Sequence, residues 1–549
     1  MNNNVKILFS VLALLMIVFA VSSVSAVEDT DSVADDLSAI DSFSDDVDTN
    51  NYSQTPSDTN SNKQISQDRG ATSDITTTTT VTVTSTSQIT TINDDTKYDI
   101  QTDLNLGTIT ALNKNNVIIT STTGAKLTNT AITLSGTNLQ ISNLKFENTN
   151  TNNPISITNS ENVIINDNTI TYRKETAGDT FGIYVAMSNY ITITENQVNV
   201  TAYPQPMNWV KIPDTVLYPN YGFTRVSGIL LNNTNYTDVT YNTVNVNSTS
   251  NTVDHTISST FDGISVINNS QSDIINNNNV NVNGSEYMYG ISLSYYLISM
   301  TVNNNVITVN GTNHVAGIQA TSTTESEFKS NTITGNCTAT SGSTMSLEAF
   351  AYGIILSTEL YQSPVCETYN NEVDNNIINL NSTIAYGIEL NNADYNNVTN
   401  NNVHTYGNVT MGIGLYNSSY NDLSGNTLII SGDTRELNPY IYDAIYPVTT
   451  GIKVNETSNY NLIYGNTIEV TEDNITVTPY AVILEDCNYS EVMLNQIEVN
   501  EETTSDPYYN EFVLDNGVGN YIYNPWLWWN SKIFSFFFLL FLWLSRWHH

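Results

Sequence analysis

One short phrase recurs ten times along the chain, and nothing else in the sequence limits the fold as strongly. Units begin at a Gly-Ile pair: Gly182, Gly228, Gly263, Gly290, Gly317, Gly353, Gly387, Gly412 and Gly451, with Ala481 in the last place. The next residue is Ile in nine units and Val482 in the tenth, and two residues on sits an aliphatic such as Val185, Leu231 or Leu293. Fourteen residues after the start comes an asparagine, at Asn196, Asn242, Asn304, Asn331, Asn401, Asn426 and Asn495; at Asn278 and Asn466 it comes after fifteen. Two residues past it stands another aliphatic, as in Val198, Val244, Val280, Val306 and Ile333. An insertion displaces the pair in the unit at 353 to Asn375 and Ile377.

Alternation of period two in short runs means strands, not helices. The closest starts lie 25 and 27 residues apart, the length of one coil of a parallel β-helix, in which each strand stacks on its equivalent in the next coil. The fold class is therefore all-β: a single-stranded right-handed parallel β-helix of about a dozen coils with an Asn ladder, the hand following from the rule for parallel crossovers. At about 4.8 Å per coil the stack would be roughly 60 Å long. The aliphatics fill the core. The recurrent Asn is expected at a bend, in the left-handed conformation Asn tolerates, with its amide bonded to the same amide above and below. The starting Gly is read as a tight bend with no room for a Cβ. Tyrosines recur eight residues after the start (Tyr190, Tyr236, Tyr361, Tyr395, Tyr420, Tyr489), with Tyr460 one place later, and are placed to stack. Leucine-rich solenoid runs are absent.

The chain carries 54 acidic and 16 basic side chains, a formal charge of −38 over 549 residues. That balance excludes nucleic acid as a partner, since phosphate binding draws on Lys and Arg, and it disfavours docking on anionic lipid. Residues 1–26 read as a secretory signal peptide, with the apolar run ILFSVLALLMIVFAV after Lys6 and a small-residue cleavage site at Val24 and Ala26. Residues 27–80 read as an acidic disordered spacer, residues 81–524 as the β-helix, and residues 525–549 as an aromatic, apolar tail that is a membrane anchor or a truncated end. Three cysteines, Cys337, Cys366 and Cys487, make no disulfide framework and are expected as buried thiols, with one bridge as the alternative.

The arc from Gly to Asn is constant, whereas the arc back to the next Gly varies, so insertions leave from one side of the stack, often the binding side in repeat proteins. The longest insert, AYPQPMNWVKIPDTVLYPNYGFTR, supplies the ligand-binding candidates Trp209, Tyr203, Tyr218, Tyr221 and Arg225. A second, TRELNPYIYDAIYPV, is also rich in Tyr and Pro. Arg173, Arg225 and Arg435 all fall in variable arcs, where they read first as solvated loop charges and otherwise as groups that could meet a ligand.

Catalytic signals are weak. Glycoside hydrolysis needs two carboxyl groups facing each other across the sugar, and outward strand positions here are mostly Thr, Asn and Ser. Asp254, His255 and Asp262 form the best cluster of titratable groups. No metal-binding motif appears, and neither a metal nor another cofactor is assigned. Abundant N-x-S/T sequons, among them Asn199, Asn247, Asn283, Asn310, Asn336 and Asn381, suit a glycosylated exported chain. The ladder asparagines mostly read N-T-I or N-x-V, so modification is expected to spare the ladder.

The units GIxLxxxxYxxxxxNTI resemble the parallel β-helix repeat of pectate-lyase-like folds and of periplasmic carbohydrate-binding β-helix families. With the signal peptide, the acidic spacer and the Asn, Thr and Tyr richness, the chain is similar over residues 80 to 520 to the adhesin-like surface proteins of methanogenic archaea. The Asp pairs and G-H-G of polygalacturonases are missing, so no catalytic residue carries over. The resemblance implies an exported cell-surface adhesin that contacts surface glycans or neighbouring cells through its aromatic inserts and attaches to wall or membrane through its C-terminus. The alternatives are a polysaccharide lyase or glycoside hydrolase, and a passive envelope component.

Overall fold

The computed structural model describes residues 75–523 apart from 177, 204–207, 212–216, 221–223, 250–258, 286, 339–348, 359–366, 434–448, 474–477, 501 and 504–511, with the backbone alone for 208–211, 217–220 and 502–503. Residues 1–74, the tail 525–549, Tyr221, Asp254, His255, Tyr361, Cys366 and Arg435, on which several expectations rest, lie outside the described residues.

Valine, isoleucine and threonine dominate the described runs and suit a pleated surface with one buried face. Strand Thr332–Cys337, for example, alternates half-buried and buried residues without a break. Such strands assemble into a parallel β-helix. A 28-stranded sheet lines two sides of the coil and a 14-stranded sheet closes the third. The smaller sheet runs in parallel register from Lys126–Thr128 to Gln496–Val499; only its last strand, Glu502–Thr503, is antiparallel. Among the described residues the single helical element is the 3-10 turn Thr86–Gln88, and no helix is long and apolar enough to cross a membrane. One continuous apolar core runs from Val83 to Val513, and Cys337 and Cys487 are buried thiols.

Corners are made by left-handed residues. In the unit at Gly182 they are Met187, Tyr190 and Glu195; in the unit at Gly228 they are Asn233, Tyr236 and Tyr241. The ladder asparagine sits one residue after the last of these corners and is not itself left-handed, which corrects the expectation. Its role is internal bonding. Asn168, Asn196, Asn242, Asn278, Asn305, Asn331, Asn376, Asn401, Asn426, Asn466 and Asn495 are all buried. Each but the last donates from Nδ2 to Oδ1 of the next at 2.9–3.0 Å. A shorter second ladder joins Asn371, Asn396, Asn421 and Asn461.

Asn304 is therefore a wrong assignment, and Asn305 takes its place. Asn304 holds the left-handed corner at φ 55°, and Val306, two residues past it, is 51% exposed, whereas Ile307 is fully buried. The cause lies upstream. Tyr295 and Tyr296 are both left-handed and the register shifts between Ser294 and Leu297, which adds one residue to the coil. The same doubled corner, at Asn268–Asn269 and at Glu456–Thr457, explains the fifteen-residue counts to Asn278 and Asn466. In the unit at 353 the insertion likewise puts Asn376 and Ile378, not Asn375 and Ile377, in the core.

The starting glycines are not at turns. They lie within strands such as Thr224–Asn235 and Tyr287–Ile298, at a break in the alternation where both Gly and the following Ile face inward. A Cβ on Gly290 would come within 2.2 Å of Ile307 Cγ2 on the opposite sheet and 2.6 Å of the Gly317 carbonyl oxygen. Close approach of two sheets, not a bend, excludes the side chain.

Candidate functional site

The break at Gly-Ile decides which side chains reach the outside of the large sheet. Residues three and one before the glycine, and two and four after it, face outward, and consecutive coils stack them into columns. One column runs Phe181, Ser227, Asp262, Tyr289, and the column beyond the glycine runs Tyr184, Leu230, Ser265, Ser292, Gln319. Between Asp179 and Thr321 these columns line a groove of about 570 Å³, whose walls also include Arg225, Thr260 and Tyr295.

Asp262 is the central group. It is completely buried, and its Oδ2 lies 3.5 Å from Arg225 Nε and accepts a hydrogen bond from Ser227 Oγ at 3.3 Å. Its Oδ1 is buried with no hydrogen-bonding partner. Burial pushes the carboxyl up to about 6, against the pull of the Arg225 guanidinium and the Ser227 hydroxyl. The same burial, reinforced by the Asp262 charge, raises the phenol of Tyr289 far above its ordinary value. Arg225 is anchored at its backbone, where its N–H donates to Asp179 Oδ1 at 3.0 Å, while its side chain stays 25% exposed and open to the groove. Phe181 and Tyr184 stack with ring centroids 5.4 Å apart. A carboxyl titrating near neutrality beside a guanidinium and a phenol can bind a polar ligand or move a proton.

Farther along the same face, aromatic packing replaces the groove. His314 contacts Tyr287, Tyr289, Phe350 and Tyr352, and burial lowers its imidazole to about 4. Glu389 stands among Tyr352, Tyr386 and Tyr416; burial raises its carboxyl to about 7, and its charge in turn helps to raise the phenols of Tyr352 and Tyr416. Among the described residues no group of three His, Cys, Asp or Glu is placed to hold a metal.

Of the sequence candidates, Arg225 lines the groove. Trp209 and Tyr218 belong to an antiparallel hairpin, Asn208–Lys211 with Leu217–Asn220, which precedes the Arg225 strand. Tyr203 is about half exposed and is not among the lining residues. Asp262 follows Asp254 and His255 closely in sequence, but its partners in space are Arg225 and Ser227, from the coil before. Asp179, Phe181, Tyr184, Tyr289 and Gln319 were missed. Reading the outward columns from each glycine, instead of searching for motifs, would have aligned them.

The comparisons with known proteins stop at architecture. No protein-family model matches the chain, and no curated protein matches it. Solved structures do. The Azotobacter vinelandii mannuronan C-5 epimerase AlgE6 A-module aligns at 12% identity over 71% of this chain and 90% of its own, with a TM-score of 0.31. The DFA-IIIase from Arthrobacter chlorophenolicus, in complex with DFA-III, aligns at 12% identity over 65% and 83%, with a TM-score of 0.36. A double mutant of the periplasmic alginate epimerase AlgG aligns at 14% identity over 73% and 76%, with a TM-score of 0.27. What the groove does rests on its own residues.

Proposed function

We propose that this chain is an exported, surface-displayed β-helix that binds carbohydrate in the groove between Asp179 and Thr321. The supporting observation is the composition of that groove: the stacked rings of Phe181 and Tyr184 lie beside a partly exposed guanidinium, hydroxyls and an amide. Aromatic faces suit the apolar faces of sugar rings, and Arg225, Ser292 and Gln319 offer hydrogen bonds to hydroxyls or to a sugar carboxylate. On this reading recognition rests on the outward columns of the strands and on Arg225, in an adhesin-like role. Glycan-array binding of the full chain tests it. Binding should fall at least tenfold in Arg225→Ala and in Tyr184→Ala. Unchanged binding in both variants, or no binding by the parent chain, would overturn the reading.

A second reading is favoured by Asp262 alone. A buried carboxyl near 6 with an unpaired oxygen can act as a general acid or base on a bound polysaccharide. Product release from a glycan that binds, abolished in Asp262→Asn while binding persists, establishes this activity; binding without any product leaves the adhesin reading.

A further inference from the structure

The outward face of the smaller sheet carries asparagines on five consecutive coils. Asn247, Asn283, Asn310, Asn336 and Asn381 stand in direct register. Each lies at the end of its strand or one residue before it. In each, a small residue follows and then a hydroxyl: Thr249, Ser285, Thr312, Thr338 and Thr383. All five are thus N-x-S/T sequons on one column. Chance explains sequons in an Asn-rich chain, but it does not explain their hydrogen bonding.

The five amides are not equivalent. Asn283 Nδ2 donates to Asn247 Oδ1 at 3.2 Å, Asn310 Nδ2 to Asn283 Oδ1 at 2.9 Å, and Asn336 Nδ2 to Asn310 Oδ1 at 2.9 Å. Asn247 only accepts in this chain, and Asn381, which is exposed, takes no part in it. Among the described residues neither donates from Nδ2 to a side chain.

We propose that this column is an N-glycan attachment site with two open positions, Asn247 and Asn381, and three closed ones. Attachment forms a bond between Nδ2 and the anomeric carbon of a saccharide activated by a phosphate-type leaving group. The bond from that carbon to the leaving group breaks, and one Nδ2–H departs as a proton. Nδ2 must be free to approach the donor, and in the inner three it is held as a hydrogen-bond donor within the column. Neighbouring coils are also only about 4.8 Å apart, too close for sugars on adjacent positions, whereas four coil steps, about 19 Å, separate the two open ones. The buried ladder carries no sequon and takes no part.

Full-length protein secreted from an N-glycosylating host tests the proposal by peptide mass mapping of the five sites. Asn247 and Asn381 should be occupied, and Asn283, Asn310 and Asn336 at least tenfold less so. Equal occupancy along the column, or bare asparagines at both ends, overturns it. Asn283→Ala removes the acceptor of Asn310 on a half-exposed surface, so occupancy at Asn310 should rise to that of Asn247. If Asn310 stays bare in this variant, hydrogen bonding is not what closes the site, and the proposal fails. None of these outcomes depends on the groove.

Discussion

Asn304 and Asn305 are chemically identical neighbours with different functions in the fold, and that difference is measurable. Asn305 accepts from the backbone N–H and Nδ2 of Asn278 and donates to Asn331 Oδ1 and the Ile275 carbonyl, all in buried surroundings. Asn305→Ala strands those partners and should lower stability by about 3 kcal/mol. Asn304→Gly keeps the left-handed corner and should leave the denaturation midpoint unchanged. Equal losses in the two variants would contradict the ladder assignment. Glycines divide in the same way. Gly290→Ala drives a methyl into Ile307 and the Gly317 carbonyl oxygen and should destabilise by about 3 kcal/mol. Gly465 has open space around its absent Cβ but a φ of +62°, so Gly465→Ala should cost only about 1 kcal/mol. Urea denaturation of both variants compares them. None of this ranking is visible in residue type alone, which is the same for the two asparagines and for the two glycines.

Among elements, the corner tyrosines and the outer columns behave as units. Tyr395, Tyr420, Tyr460 and Tyr489 stack with centroids 4.9–5.2 Å apart and rings within 13° of parallel, each on a left-handed backbone that bulky residues rarely adopt. Tyr190 and Tyr236 form a separate pair. Ser272, Ser299, Glu325 and Asn370 hold left-handed positions between the two groups. Periodicity located the tyrosines, but the break in the stack depends on what each intervening coil places at the corner. The Glu389 column makes a pH prediction. Its carboxyl is raised from 4.5 to about 7, so the folded state holds its proton to higher pH than the unfolded chain does. Stability from this group is present below about 4.5 and is lost as pH rises to about 7, by up to about 3 kcal/mol. Glu389→Gln should therefore raise the melting temperature relative to the parent at pH 8 and leave the difference near zero at pH 4. A difference that does not change with pH would show that the site is not desolvated as described.

At the scale of the whole molecule, stacking turns residues distant in sequence into neighbours. Asp179, Arg225 and Asp262 are 46 and 37 residues apart in the chain and sit on successive coils, so one groove gathers residues separated by arcs of quite different length. Arg225→Ala should move the Asp262 carboxyl further up, above about 6, because the guanidinium that pulls it down is gone. Titration of that carboxyl by NMR in the parent and the variant would show the rise, and a fall would exclude the pairing. The β-helix, its core aliphatics and the existence of an Asn ladder were determined by sequence alone, because a period-two pattern renewed every coil leaves one economical way to bury its apolar face. The register of that ladder, the in-strand role of the glycines and the groove were decided only by tertiary structure. A doubled left-handed corner shifts the count by one residue without changing composition. A carboxyl becomes poised near neutrality through burial and through a guanidinium one coil away, and neither is a property of its own stretch of chain.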